Sequence, residues 1–462
     1  MTSTATSTAP ARFGFRLVTP LVASAVLNPI NSTLIAVALV PIGQSFGAGP
    51  GRTAWLISAL YLATAVGQPV VGLLVDRYGA RRVLLSGAAV VMAAGIAGLV
   101  PVSVGWLTGV RAVLGIGTCA GFPAAMAVLR KHADAAGQGV PARVLSVLSL
   151  SSQTVMVIGP TLGGVLIGLF GWPAIFAVNI PLAGISLLLA VFWVPKDAPA
   201  RPAGERPEPI DVLGIVLFSL ALLVLLCYLM APGIGDLWLL AVAAAVGAAF
   251  ARRELRVRHP FIDLRMLAAN RAILRTYLRQ SLSFMAIYAI MFGYVQWLEE
   301  GRGFTESVSG LLLLPMSAVA VGAAAMSGRA TGVRARLLVV AVALLGGSVT
   351  LLFVTDRTWL GALLGLVALF GLAQGLTSVA NQTTLYREAP AETMGTASGL
   401  FRTAQYLGAI VAATVIAQCY GGHADSGGLH RLGLVLIVVS ALLLVVTVAD
   451  RGLRRTARAE RS

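Results

Sequence analysis

The chain breaks into one apolar window after another, each about as long as a membrane is thick. A bilayer core needs roughly 20 apolar residues per helix, within a range of about 17–25. Windows of that length lie near 17–43, 54–75, 83–103, 106–129, 144–170, 172–194, 212–231, 235–251, 276–298, 308–327, 337–354, 359–379, 400–420 and 431–449, which makes fourteen. The eighth is the shortest, so an interfacial or re-entrant segment stays open there. With 58% hydrophobic and 11% charged residues, against roughly 45–50% and 25% in a soluble domain, a water-solvated globule is excluded. The 51 glycines and 21 prolines suit close helix contacts and helix breaks that line cavities. A porin-like barrel would show short alternating strands instead.

Positive residues orient the windows. With a cytoplasmic N-terminus, alternating connections place 29 of the 34 Lys and Arg residues on the cytoplasmic side. Four, Arg52, Arg302, Arg357 and Arg431, fall outside, and Arg111 lies within a window. Both termini are therefore expected in the cytoplasm of a multi-pass plasma-membrane protein. Arg12 and Arg16 precede a first apolar run that is long and followed by many more, so it reads as a first span and not a cleaved peptide. The net charge of +16 is topological, and no nucleic-acid partner is expected. Cys119, Cys227 and Cys419 sit in apolar stretches without metal-ligand spacing, and His132, His259, His423 and His430 scatter among loops. No metal, cofactor or catalytic residue is expected, and an enzyme is disfavoured.

The Pro-rich, mixed-charge stretch from Pro195 to Pro209 reads as a linker closing a first six-helix unit. The expected organisation is a cytoplasmic tail over 1–16, a six-helix bundle over 17–194, linkers with two inserted helices over 195–275, a second six-helix bundle over 276–449 and a basic cytoplasmic tail over 450–462. A trace of duplication supports this. Aligning Gly79 with Gly332 superposes Arg81 on Arg334 and sets Asp76 against Arg329. Two-fold repetition is common in secondary transporters, with the substrate site between the halves.

Gly72, Asp76, Arg77, Gly79, Arg81 and Arg82 resemble the loop motif G-x-x-x-D-R-x-G-x-R-R of the major facilitator superfamily. The resemblance implies an all-α fold of two six-helix bundles, here with two inserted helices, and a loop that latches one side of the transporter. An acid there can pair with arginines or with the positive N-terminus of a facing helix; by resemblance that helix is the thirteenth, carrying Arg402. Gly159-Pro160-Thr161-Leu162-Gly163-Gly164 looks like the antiporter motif of drug exporters in the superfamily. The string from Gly171 to Pro181 resembles the fourteen-helix drug:proton antiporters. Val155 stands where the family has a leading glycine.

Arg111, in Leu107-x-x-x-Arg111-x-x-Leu114, looks like the fourth-helix motif, and the resemblance implies a part in proton coupling. A structural arginine bonded to backbone carbonyls is the rival reading, because a cation in hydrocarbon must find a partner or a cavity. The first helix departs from the family: Asn28 occupies the place of its aspartate. An amide cannot carry a proton at neutral pH. None of the eighteen acids falls mid-window, which leaves Asp76, or Glu299 and Glu300 at the outer mouth of the ninth helix, as the acidic candidates for proton coupling.

In this superfamily helices 1, 4, 9 and 12 line the cavity. Asn28, Asn31 and Ser32 share a face of helix 1; Gln374, Ser378 and Asn381 share one on helix 12; Ser281, Met285, Tyr288 and Phe292 form a stripe on helix 9. Amides with pliable apolar groups suit a hydrophobic or amphipathic solute. The expected function is export of such a small molecule, a drug or natural product, by alternating access with protons as coupling ion, from a monomer. An uptake symporter or uniporter, or a non-transporting scaffold or sensor, are the alternatives.

Overall fold

The structure is a computed structural model that describes residues 13–135, 142–197, 211–230, 233–258, 260–262, 264–326, 332–388, 394–450 and 453. Among these residues all regular structure is helical. The N-terminal part comprises α1 (Phe15–Ala25), α2 (Leu27–Thr33), α3 (Leu39–Phe46), α4 (Pro50–Tyr78), α5 (Ala80–Ala97), α6 (Val104–Thr118), α7 (Gly121–Ala135), α8 (Ala142–Phe170), α9 (Ala174–Ala177) and α10 (Asn179–Trp193). Two helices follow, α11 (Val212–Met230) and α12 (Leu237–Glu254), then the short α13 (Leu264–Ala269). The C-terminal part holds α14 (Arg271–Ala289), α15 (Glu306–Leu312), α16 (Leu314–Met326), α17 (Val333–Leu351), α18 (Leu360–Glu388), α19 (Met394–Tyr420) and α20 (Ser426–Ala449).

The first crossing is broken for a local reason. Pro20, Pro29 and Pro41 each remove a backbone donor, and polar side chains bond to backbone around the breaks. Ser24 Oγ donates to the Pro20 carbonyl at 2.8 Å, Asn31 Nδ2 to the Leu27 carbonyl at 2.8 Å and Thr33 Oγ1 to the Pro29 carbonyl at 3.0 Å. The α14 crossing is irregular at its other end. It passes through π-helical turns at Ile290–Tyr294 and Trp297–Gly301, a geometry frequent at functional sites.

Twelve stretches of described residues are long and apolar enough to cross a bilayer, against the fourteen expected. The windows at 54–75 and 144–170 are the two without a qualifying stretch. They are helical, within α4 and α8, where several side chains lie outside the described residues; the apolar run described in α8 is Ile158–Phe170. The eighth window does qualify, as Ile234–Glu254.

Successive long helices reverse direction, so the turn at Gly79 and the end of α20 at Asp450 share one end of the molecule, here the motif end. Gly49, Glu299 and Gly422 mark the far end. α4 packs along α19, and α15 and α16 along α8; these pairs hold the two parts together. α11 and α12 pack on each other, and α11 touches α4 and α19. Asp211 accepts from the Gly214 N–H and from Arg253 Nε, each at 2.8 Å. Large apolar side chains such as Phe192, Phe353, Trp359 and Val438 face outward, as they do in a protein whose solvent is lipid. Cys227 also faces outward; the other two thiols are buried.

Candidate transport site

Halfway along the molecule the two parts meet through side chains of α2, α4, α14 and α19. Tyr406 donates to Asn28 Oδ1 at 3.1 Å, and Asn28 Nδ2 donates to Thr118 Oγ1 at 3.0 Å. The amide that replaces the family's aspartate thus acts as acceptor and donor at once, joining α2 to α6 and to α19. Tyr61 lies 5.7 Å from Tyr406 and 5.2 Å from Tyr288, and Tyr288 stacks on Phe292 at 5.7 Å with rings 5° apart. A polar chain continues from there. Gln405 donates to the Tyr288 hydroxyl at 3.2 Å, Gln280 to Gln405 at 3.4 Å, and Asn381 to Gln280 at 3.1 Å.

The expected lining residues divide. Asn28, Tyr288, Phe292 and Asn381 come together in this belt, while Asn31 is committed to helix packing, with Nδ2 2.6 Å from Asn179 Oδ1. Ser378 Oγ donates back to the Gln374 carbonyl at 3.1 Å. Met285 and Gln374 are buried, and Ser281 is partly exposed. Ser32 Oγ is buried without a partner among the described residues. Tyr61, Thr118, Gln280, Gln405 and Tyr406 were not singled out by sequence; helical spacing from Asn28 cannot reveal partners 90 or 378 residues away.

Arg111 is 2% exposed. Its Nε donates to the Leu56 carbonyl at 3.0 Å and one terminal nitrogen to the Asn31 carbonyl at 2.7 Å, while the other has no partner among the described residues. The carbonyls are those of the broken first crossing and of α4, so the guanidinium ties three helices at the level of the belt.

Toward the far end, the glycines of the 159–164 string let three backbones meet. A methyl on Gly159 would run into Thr33 Oγ1, one on Gly163 would lie 2.9 Å from the Leu34 carbonyl, and one on Gly164 2.6 Å from the Glu306 carbonyl. From the other side, a Gly310 methyl would lie 2.8 Å from the Pro160 carbonyl. Thr161 donates to the Gly310 carbonyl and Ser307 to the Gly164 carbonyl, both at 2.9 Å. At the far end the two parts touch through this contact between α8 and α15 and through the approach of Gly49 to Gly422.

At the motif end Gly79 takes φ +94°, a conformation glycine adopts without a Cβ penalty. The acid found at the N-terminus of α5 is Asp197. Its two oxygens accept the Arg81 and Arg82 N–H groups at 3.1 Å each, the placement a helix dipole favours. Arg81 also donates to the Val191 carbonyl at 2.6 Å. Sequence reading assigned Asp197 to a linker, since nothing local marks a cap that arrives from more than a hundred residues away. Gly72 is partly exposed, Arg77 lies over the Tyr78 ring at 5.7 Å and Arg402 over the Phe122 ring at 4.1 Å. The Asp76 side chain, and Arg329 of the second copy, lie outside the described residues.

The α14 crossing carries two acid clusters, one at each end. At the motif end Arg279, fully buried, bonds Asp450 at 2.5 Å and Thr276 at 2.6 Å. Arg275 reaches Asp450 at 3.2 Å, and Thr276 donates to Glu388 at 2.7 Å. Burial pushes the Glu388 carboxyl above the usual carboxylate range, with the Thr276 hydrogen bond and Arg279 opposing. Counting residues put these arginines and acids in solvated connections; the structure buries Arg279 and Asp450 and leaves Glu388 partly covered. At the far end Glu300 accepts the Ala424 N–H at 2.6 Å and lies 3.1 Å from His423 Nδ1. Glu299, expected at an outer mouth, is 8% exposed, and neither of its oxygens has a partner among the described residues. Among the described residues no group of His, Cys, Asp and Glu could hold a metal ion.

A family model described as Major Facilitator Superfamily matches residues 21–413. Among curated relatives, the MFS-type transporter YwoD of Bacillus subtilis (strain 168) is 31% identical over 450 residues, 95% of this chain and 97% of its own. The tetracenomycin C resistance and export protein of Streptomyces glaucescens is 30% identical over 407 residues, covering 84% of this chain and 72% of its own. Among solved structures, the nucleoside transporter NupG superposes with a TM-score of 0.64 over 94% of this chain and 99% of its own, at 12% identity, a likeness of fold.

Proposed function

The chain belongs to the major facilitator superfamily, and we propose that it exports hydrophobic or amphipathic small molecules by alternating access, in exchange for protons. The observation that carries this reading is the belt at mid-height. There the two parts of the chain touch through tyrosines, Phe292 and amides, a surface able to hold an apolar solute and to hydrogen-bond its polar edge. Similarity to a resistance and export protein supports the direction. Within this reading the halves are 17–194 and 276–449, α11 and α12 are inserted between them, and the motif end with both termini faces the cytoplasm. α4 and α8, each 29 residues long and so about 44 Å at 1.5 Å per residue, complete fourteen crossings. The far end, closed here, is the outward gate.

Asn28 favours one second reading, a uniporter, because no acid sits in the belt to couple a proton directly. The deciding experiment is transport of a fluorescent amphipathic cation in everted vesicles with and without an imposed pH gradient. Accumulation that collapses with the gradient is expected. Gradient-independent equilibration would replace antiport with uniport, and movement in the opposite direction would make the protein an uptake system.

A further inference from the structure

We propose that Glu299 is the proton-binding residue of the far-end gate: that end closes only when one Glu299 oxygen carries a proton. The inference rests on the alternating-access reading above, though not on proton antiport. Glu299 lies in the π-helical turn Trp297–Gly301, packed against α15. That helix is the one whose Ser307 and Gly310 press on Gly164 and Pro160 to shut the far end. The carboxyl is thus buried behind the moving contact, at 8% exposure with both oxygens unpartnered. Tyr294 Oη and Ser309 Oγ nearby along the same two segments are also buried without partners.

The charges around it offer no compensation. On its own segment Glu300 is taken by His423 and the Ala424 N–H. Arg302 donates to the Thr355 and Thr358 carbonyls and lies 5.3 Å from the Phe304 ring. At the head of α20, Asp425 caps the helix through the Gly428 N–H, His430 bonds the Val354 carbonyl and Arg431 is exposed. The acids that its own segment and α15 add are Glu300 and Glu306, which opens α15.

An ionised carboxylate buried without a partner is costly, and here two further acids would repel it. Charge on Glu299 therefore drives α15, with Glu306 at its head, away from Gly164, and the gate opens to water that can solvate the acid. Closing reverses the step: a proton from the water at that end forms an O–H bond on Glu299, and the neutral acid can be covered. The sign follows. Alkaline pH at the far end favours the open gate and acid pH the closed one.

The test is a distance measurement by electron spin resonance on the full chain in nanodiscs, with labels at Gln44 and Arg357, both exposed at the far end, in a Cys227→Ser background. In the otherwise unaltered protein the longer-distance population is expected to grow about tenfold relative to the short one between pH 5.5 and 8.5. Glu299→Gln should stay short at both values, and Glu299→Asp should keep the response with its midpoint moved. A pH response surviving intact in Glu299→Gln overturns the proposal, as does a wild-type distance that ignores pH. If the glutamine variant does not fold, Glu299→Met carries the same expectation. The vesicle assay uses only wild type, so the fate of the transport reading is decided separately.

Discussion

At the motif end of the Arg271–Gly301 crossing, Asp450 receives two guanidiniums and Glu388 a hydroxyl; at the far end of the same crossing, Glu299 has no partner among the described residues. Both acid systems are covered, yet only one is neutralised by the protein itself. A buried pair with excellent geometry is a fixture, because breaking it strands a charge. A buried acid without a partner is a device with two states, since its cover is tolerable in one protonation state only. One crossing can therefore be anchored at one end and switched at the other.

The largest effect should come from breaking the anchor. Asp450→Ala leaves Arg279 buried without its counter-charge, at an expected cost of about 3–5 kcal/mol. Thermal melting in detergent, followed by the loss of monodisperse protein, would read this out. The double replacement Arg279→Met with Asp450→Leu should recover most of the loss, since the apolar pair needs no compensation. Wild-type-like melting of Asp450→Ala would break the contrast between the two ends.

A smaller and purely kinetic effect is expected from Gly310→Leu. Its side chain would have to enter the space held by the Pro160 carbonyl and Gly164, so α15 cannot seat on α8 and the far end stays ajar. Export of the fluorescent probe should fall roughly tenfold or more while the amount of folded protein holds, as for a conformational step that limits turnover. Gly184→Ala, where an added methyl meets nothing within 4 Å, is the matched control. Equal export by Gly310→Leu and Gly184→Ala would separate the glycine contact from gating.

Twelve of the fourteen expected crossings were legible in the sequence because hydropathy acts locally, and Asn28 stood out against a family pattern. Partnerships were not legible. Asp197 reaches the turn at Gly79 from across the first bundle, and Asp450 reaches Arg279 from 171 residues away. No periodicity encodes either meeting. Glu299 was visible as a candidate but not as a buried one, because the two π-helical turns that rotate the end of its helix leave no compositional mark. Counting acids by loop treats each as solvated, and burial is a property of the packed bundle.

The smallest effect sharpens the comparison from within the anchor. Burial raises the Glu388 carboxyl above its unfolded range while Thr276 and Arg279 pull the other way. A carboxyl raised on folding gives stability that is complete below the unfolded pKa, near 4.3, and is lost as pH climbs through the folded value. Glu388→Gln keeps an acceptor for Thr276 and has no proton to lose. Its melting temperature should match wild type near pH 4.5 and exceed it by about 1–2 °C near pH 8. An advantage that shrank as pH rose would mean that Arg275 and Arg279 outweigh burial. Glu388 would then be a fourth member of the ion cluster, and the motif end would be anchored by two carboxylates rather than one.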